Sequence, residues 1–82
     1  MSDDIKGRIV KVLKDALPGV DVAASNTLVD DGVLDSLAIS IIIAELSMEF
    51  GIQIPFDELE SANFNSLDTM SALVMRCEER KQ

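Results

Sequence analysis

The chain has 82 residues, enough for one small domain, and its formal net charge is −8. Every basic residue lies at or before Lys14 or at or after Arg76, so the middle of the chain carries acids only. An acidic surface repels phosphate backbones, which excludes nucleic acid as an expected partner and favours basic protein surfaces. The simpler role of these acids is to keep a small domain soluble.

Residue content limits the function further. The chain contains no histidine, so a serine nucleophile would lack its usual general base, and we expect no hydrolytic enzyme. The single cysteine excludes an intramolecular disulfide, and with the acidic, polar N-terminus it predicts a cytoplasmic protein. The densest apolar stretch, residues 37–46, is far shorter than the ~20 residues of a membrane span.

Helical periodicity runs through the chain and predicts one all-α domain over residues 1–82, with three main helices and one short helix. The first helix is predicted from Ser2, as N-cap, to Leu17, before a Pro-Gly stop. Its apolar stripe repeats every three or four positions at Ile5, Ile9, Val12, Leu13 and Leu17.

A long, polar connection, residues 20–34, separates the first two helices. Irregular segments of this length inside a small domain are usually functional. Four apolar side chains are expected to hold this loop against the core: Val22, Leu28, Val29 and Val33.

The second helix is predicted to begin with Asp35 as its N-cap, which places Ser36 at or near the first helical position with an exposed hydroxyl. Gly51 is the predicted C-terminal stop. At 100° per residue the helix has two apolar stripes. The first stripe is expected to face the core and contains Ile39, Ile42, Ile43, Leu46 and Phe50. The second stripe lies on the opposite side and contains Leu37, Ile41, Ala44 and Met48.

The second stripe has two possible roles. If it is exposed, it is a docking surface for partner proteins. If the long loop covers it, the helix is buried on both sides, as helices that are apolar all round usually are.

The C-terminal part is predicted to contain a short helix near residues 57–61 and a last main helix. Asn65 or Ser66 is the expected cap of that helix, with Asp68 three positions after Asn65 as in a capping box. Its apolar side contains Leu67, Met70, Leu73, Val74 and Cys77. We therefore expect Cys77 to be a buried, unreactive apolar residue.

Two motifs resemble the phosphopantetheine-bearing carrier proteins: GVLDSL at residues 32–37 and EFGIQIP at residues 49–55. The resemblance implies an acyl-carrier-protein-like bundle in which Ser36 receives 4'-phosphopantetheine from coenzyme A, through a phosphopantetheinyl transferase. Asp35 and Leu37 would flank the attachment site. The carrier would hold acyl or aminoacyl groups as thioesters, take them from a loading ligase to downstream transferases or synthases, and catalyse nothing itself.

Departures from the fatty-acid branch of that family favour a specialised pathway. Those carriers typically have acids at four positions after the modified serine, where this chain has Ala38, Ile41, Ser47 and Met48. Two residues separate Gly32 from Asp35, a spacing that looks more like stand-alone aminoacyl carriers, including the D-alanine carrier class, and peptidyl carriers.

Two alternatives to a carrier remain. A non-covalent helical adaptor would bind partners through the second stripe without modification of Ser36, and self-association through that stripe would replace the expected monomer. A calcium-binding module is less favoured, because residues 30–35 lack the alternating ligands and closing glutamate of an EF-hand loop.

Overall fold

A computed structural model describes residues 2–80, and within that range it contains three α-helices, two short 3-10 turns and no strand. Helix α1 spans Ser2–Ala16, α2 spans Ser36–Phe50 and α3 spans Leu67–Arg80. The predicted all-α fold is confirmed. The capping role predicted for the Ser2 side chain lies outside the described part of the structure.

Helix α1 packs with the stripe that its periodicity predicted. Ile9 and Leu13 are fully buried, and the other three members pack against the core at its edge. The helix ends one residue earlier than expected, although the Leu17 amide still donates to the Leu13 carbonyl at 2.7 Å. Gly19 then adopts a φ of 89°, which glycine reaches without a Cβ clash, and turns the chain into the long loop.

The core is made of aliphatic side chains from all three helices together with two phenylalanines. The first stripe of α2 faces it as predicted, with Ile42, Leu46 and Phe50 buried and the other two members partly buried. The buried apolar residues are Ile9, Leu13, Val22, Leu28, Leu34, Ile42, Leu46, Phe50, Ile52, Phe64, Met70, Leu73, Val74 and Cys77.

Arg8 connects α1 to the C-terminal end of α2. Its guanidinium donates to the Glu49 carboxylate at 3.0 Å and to the Glu49 carbonyl at 2.9 Å. The same guanidinium lies 4.3 Å from the centre of the Phe50 ring, within cation–π distance. Helix α2 then ends as predicted at Gly51, whose φ of 60° lets its amide donate to the Ser47 carbonyl.

The loop between α1 and α2 is held by a different set of residues than predicted. Val22, Leu28 and Val29 pack as expected, but Val33 is 45% exposed and Leu34 is buried in its place. The Leu34 amide donates to the Leu28 carbonyl at 3.0 Å, which fixes the backbone so that Leu34 points inward. The prediction for Val33 was wrong because an irregular loop has no period from which the direction of a side chain follows.

The short helix predicted near residues 57–61 is present only as two separate 3-10 turns, Phe56–Glu58 and Ser61–Asn63. The residues between them adopt extended or irregular backbone angles, with a ψ of 63° at Leu59 and 144° at Glu60. These angles interrupt the i to i−4 hydrogen bonding that an α-helix requires.

The capping box of α3 is shifted by one residue from its predicted position. The Ser66 hydroxyl accepts from the Thr69 amide at 3.1 Å, and the Thr69 hydroxyl oxygen accepts from the Ser66 amide at 3.2 Å. Asp68 is not part of the box and forms an ion pair with Lys6 of α1 at 2.6 Å. Asn65, the other predicted cap, binds backbone amides of the loop before α2 instead.

Within residues 2–80, no helix combines the length and the apolar content needed to cross a bilayer.

Candidate functional site

The start of α2 presents Ser36 to solvent. Asp35 has an extended backbone, and its carboxylate accepts from the Ala38 amide at 2.8 Å, so it is the N-cap that the sequence predicted. Ser36 is the first helical residue and is exposed. Within the described part of the chain its hydroxyl makes no hydrogen bond. The site therefore offers one accessible hydroxyl at a fixed position.

Asn65 fixes the loop that leads into Asp35. Its amide oxygen accepts from the backbone amides of Val29 at 2.8 Å and Asp30 at 3.1 Å, and its carbonyl accepts from the Leu28 amide at 2.8 Å. Asn65, which precedes α3 in the chain, thus accepts hydrogen bonds from three backbone amides of the loop before α2. No local pattern predicted this role, because the same side-chain amide can either cap a helix or bind the backbone of a distant loop.

The acids of this loop serve its own structure. The Asp31 carboxylate accepts from the Thr27 hydroxyl at 2.6 Å and from the Ser25 hydroxyl at 3.4 Å. Asp30 accepts from the Asn65 amide group at 3.3 Å. Gly32 has a φ of 79° with open space at its Cβ position, so backbone conformation rather than packing favours glycine there.

A cleft of about 500 Å³ opens beside Ser36, between the long loop, the start of α2 and the segment that holds the two 3-10 turns. We call it the Ser36 cleft. Its volume lies in the range of small-molecule sites. It is lined by Val29, Gly32, Leu34, Asp35, Ser36, Ile39, Leu59, Glu60, Ser61 and Phe64. The floor of the cleft is mainly apolar. The residues of the lining also include two carboxylates and two hydroxyls.

Glu58 links the segment of the two 3-10 turns, which forms one wall of this cleft, to α3. Arg76 donates to both Glu58 carboxylate oxygens, at 3.1 and 3.2 Å, and Arg80 lies 3.4 Å from one of them. Asn63 donates to the Glu58 carbonyl at 2.7 Å. The hydrogen bonds from Arg76 hold the pKa of Glu58 below its ordinary value, against the opposing effect of burial. The bidentate geometry makes this a well-defined contact.

The second stripe of α2 is largely exposed. Leu37 and Met48 are 70% and 71% exposed, Ala44 is exposed and Ile41 is partly buried. Leu37 and Met48 lie about three turns apart, roughly 16 Å along the helix axis. The long loop therefore does not cover this side of α2, and of the two alternatives for the stripe the structure has the exposed one.

Two serines beside the second stripe contribute little polarity to it. The Ser40 hydroxyl donates to the Ser36 carbonyl at 3.0 Å, and the Ser47 hydroxyl donates to the Ile43 carbonyl at 2.7 Å. The hydroxyl protons of both serines are thus hydrogen-bonded to carbonyls of the helix itself. The result is an apolar strip that begins one residue after Ser36 and is bordered by Glu45 and Glu49 beside Met48.

Cys77 is not a second reactive site. It is 2% exposed within the core, and burial raises the pKa of its thiol. The thiolate is the reactive form of cysteine, so this side chain is held in its unreactive form, as the sequence predicted.

The sequence of the chain matches a known family. The family model described as phosphopantetheine attachment site covers residues 3–74 of the chain. The chain therefore belongs to the phosphopantetheine-bearing carrier proteins, as the motifs at residues 32–37 and 49–55 indicated, and its cofactor is 4'-phosphopantetheine.

Three carrier proteins are similar to the chain over most of their length. The chain is 33% identical over 66 residues to D-alanyl carrier protein 2 of Lactiplantibacillus plantarum, covering 78% of this chain and 81% of the relative. It is 32% identical over 78 residues to D-alanyl carrier protein 1 of the same organism, covering 93% and 92%. Aminoacyl carrier protein 1 of Bradyrhizobium diazoefficiens is 30% identical over 76 residues, covering 88% and 83%. No solved structure is significantly similar to the chain.

Proposed function

We propose that Ser36 is the residue that carries the phosphopantetheine arm. The observation that supports this most directly is the exposed Ser36 hydroxyl, which has no hydrogen bond within the described residues and lies at the first position of α2 beside a cleft. A group joined through a serine phosphoester needs an accessible hydroxyl, and Ser36 provides one. The amides of the first helical turn also favour an anionic phosphate at this position.

The neighbouring residues position this hydroxyl. Asp35 fixes the start of the helix through its bond to the Ala38 amide, and the buried Leu34 anchors the chain immediately before it. When bound, the arm supplies a terminal thiol that holds the cargo as a thioester. The chain itself acts as a carrier rather than a catalyst, because it has no histidine to activate a nucleophile.

We propose an aminoacyl cargo and a specialised pathway. The support comes from the relatives, which are named as D-alanyl and aminoacyl carriers and align over most of their length. The apolar second stripe supports it too, because apolar residues there leave few charges for a basic docking surface on the partner. The expected partners are a phosphopantetheinyl transferase, a loading ligase and a downstream transferase or synthase.

We propose one carrier domain over residues 1–82, present as a monomer, because a net charge of −8 on a small chain opposes self-association. A cytoplasmic location is consistent with the single, buried cysteine.

Intact-mass spectrometry tests the attachment site. The purified chain is incubated with coenzyme A and a broad-specificity phosphopantetheinyl transferase, and peptide mapping locates the added mass. We expect one arm on the wild type and none on Ser36→Ala. Ser40→Ala is the matched control, since Ser40 is an exposed serine one turn further along the same helix, and it should still accept the arm.

Two results would contradict the assignment. Transfer of the arm to Ser36→Ala would move the attachment site to another residue. No transfer to folded wild type, repeated with a second transferase, would favour the alternative of a non-covalent adaptor that binds partners through Leu37, Ile41, Ala44 and Met48.

A further inference from the structure

Asn65 is hydrogen-bonded to three consecutive residues of the loop before α2. Its backbone carbonyl accepts from the Leu28 amide at 2.8 Å, and its side-chain oxygen accepts from the amides of Val29 at 2.8 Å and Asp30 at 3.1 Å. Its side-chain NH2 group donates to the Asp30 carboxylate at 3.3 Å. The loop therefore binds both the oxygen and the nitrogen of the side-chain amide, which fixes the orientation of that amide.

Two of these loop residues are also hydrogen-bonded to the end of the loop. The Leu28 carbonyl accepts from the Leu34 amide at 3.0 Å, and the Val29 carbonyl accepts from the Gly32 amide at 3.0 Å. Each residue thus binds Asn65 through its amide and the end of the loop through its carbonyl. Leu34 lies directly before the N-cap of α2, so it is two residues, roughly 7 Å of backbone, from the proposed attachment residue.

The backbone of Asn65 is held on both sides. Phe64 before it is fully buried in the core, and Ser66 after it is 5% exposed. Ser66 also forms the capping box of α3 with Thr69. The bonds from Asn65 therefore attach the loop to a well-fixed point between the core and α3, and the loop cannot shift relative to that point unless they break.

These hydrogen bonds constrain the loop in a way that its apolar packing does not. Leu28 and Leu34 are buried and contribute to stability, but apolar contacts are non-directional. Hydrogen bonds weaken steeply as the donor angle departs from linear. Removal of the Asn65 side chain should therefore change the orientation of the loop backbone, and with it the start of α2, more than it changes the stability of the core.

We propose that Asn65 is a positioning residue for arm transfer, acting on Ser36 through the backbone of the loop. This inference rests on the proposed function, because it requires Ser36 to be the attachment residue. In the transfer, the Ser36 oxygen forms a bond to the phosphorus that bears the pantetheine, and the bond from that phosphorus to the nucleotide phosphate breaks. Adenosine bisphosphate leaves, and the hydroxyl proton passes to a base of the transferase. Such a displacement requires reacting atoms about 3–3.5 Å apart and aligned, so a small shift of the hydroxyl slows it.

Steady-state kinetics of arm transfer test the inference. The carrier concentration is varied at saturating coenzyme A, and a mass-based assay gives kcat and KM. For Asn65→Ala we expect kcat to fall about tenfold or more at nearly unchanged KM, because misplaced reacting atoms slow the step in the bound complex. A purely structural role predicts another result: partial unfolding lowers the concentration of competent carrier, which raises the apparent KM and leaves kcat unchanged.

A reciprocal exchange tests the geometry of the contact. Asn65→Asp keeps an oxygen that accepts from the loop amides, but it loses the NH2 donor and places a second carboxylate beside Asp30, so kcat should fall. Adding Asp30→Asn restores the bond with donor and acceptor exchanged. The kcat of the double variant should then return to within about twofold of the value for Asp30→Asn alone.

Val74→Ala is the control for stability. Val74 is fully buried in α3 and does not line the Ser36 cleft. Its truncation should lower the melting temperature, because it leaves a cavity in the core, while kcat for arm transfer stays within about twofold of wild type. Lower stability and slower transfer are thereby measured independently.

The outcomes separate the two proposals. An unchanged kcat in Asn65→Ala, or a raised KM at unchanged kcat, would overturn the positioning role of Asn65 and leave the carrier function intact. Failure of the reciprocal exchange to restore kcat would also overturn it. Absence of the arm from wild type, or its presence on Ser36→Ala, is detected by mass before any kinetics and would overturn the proposed function and this inference with it.

Discussion

Asp35 is the residue that most directly controls the position of the Ser36 hydroxyl. Its carboxylate satisfies the Ala38 amide, one of the amides at the start of α2 that lack a partner within the helix. Without the cap, the first turn would lose this bond and the backbone at Ser36 would be held less firmly, although the Ile39 amide would still donate to the Asp35 carbonyl. Stability and presentation of the hydroxyl are thus linked through one hydrogen bond.

Replacing Asp35 with alanine should lower the free energy of unfolding by about 1 kcal/mol, the usual cost of losing an N-cap. For a domain of this size that corresponds to a fall in melting temperature of roughly 4–8 °C. Thermal denaturation followed by circular dichroism measures it. Asp35→Asn retains a good capping side chain and should remain close to wild type; equal stability of all three proteins would contradict the capping role.

Helix α2 has two apolar stripes with different roles. The first stripe is buried and contributes to the core, whereas Leu37 and Met48 at the two ends of the second stripe remain exposed. The hydroxyls of Ser40 and Ser47 donate to carbonyls of the helix backbone, so they add little polarity to the side that carries the second stripe. This division makes stability and partner recognition separable by mutation.

Serine in place of Met48 should change the free energy of unfolding by no more than about 0.5 kcal/mol, because the side chain is exposed. If the second stripe docks the phosphopantetheinyl transferase, kcat/KM for arm transfer should fall about tenfold, the effect of ~1.4 kcal/mol of lost contact. Adding Ile41→Ser should lower it further. Urea denaturation and a mass-based transfer assay measure the two effects.

The matched change on the other side of α2 is Ile42→Ala. Ile42 is fully buried, so its truncation should cost about 2–5 kcal/mol of stability. Under conditions where this variant remains folded, arm transfer should be nearly unchanged. Unaltered transfer by Met48→Ser, or equal loss of transfer in both variants, would count against docking through the second stripe.

At the scale of the whole molecule, ion pairs link segments that are distant in the chain and add to the packing of the common core. Lys6 of α1 pairs with Asp68 of α3, and Arg8 of α1 braces the end of α2. Glu58 ties the segment between α2 and α3 to Arg76 and Arg80. Because that segment forms a wall of the Ser36 cleft, its attachment to α3 also determines the shape of the site.

The Glu58 contacts should make stability depend on pH. Because the pKa of Glu58 is lowered in the folded state, its contribution is present above the ordinary carboxyl pKa of about 4.5 and is lost as the pH falls through the lower folded value. Wild type should therefore be more stable than Glu58→Gln at pH 7, and the gap should narrow below pH 4. Urea denaturation at pH 7 and below pH 4 measures the difference in the free energy of unfolding between the two proteins.

Glu60→Gln is the control for this prediction, since Glu60 has no ion pair within the described chain. Its stability relative to wild type should not change with pH in the same way. A gap between wild type and Glu58→Gln that stays constant from pH 7 to pH 3 would show that the carboxylate charge of Glu58 is not the source of the stabilisation.

Much of the fold and the candidate site follows from local sequence. The helical periods predict the buried stripes, Asp35 and Gly51 mark the ends of α2, and the resemblance of residues 32–37 to the carrier motif singles out Ser36. These features depend on residues within one or two turns of each other, where the chain geometry is fixed by the helix itself. The all-α class and the family were therefore predictable from the sequence.

Only the tertiary structure decided the features that depend on residues far apart in the chain. The hydrogen bond between Asn65 and the Val29 amide joins residues 36 positions apart, and the Glu58–Arg76 pair joins residues 18 positions apart. Neither pairing follows from a local pattern. The burial of Leu34 instead of Val33, the division of the short helix into two 3-10 turns and the exposure of the second stripe have the same cause. Each depends on which distant surface packs nearby. In the long loop and the 3-10 segment there is also no period that fixes the direction of the side chains.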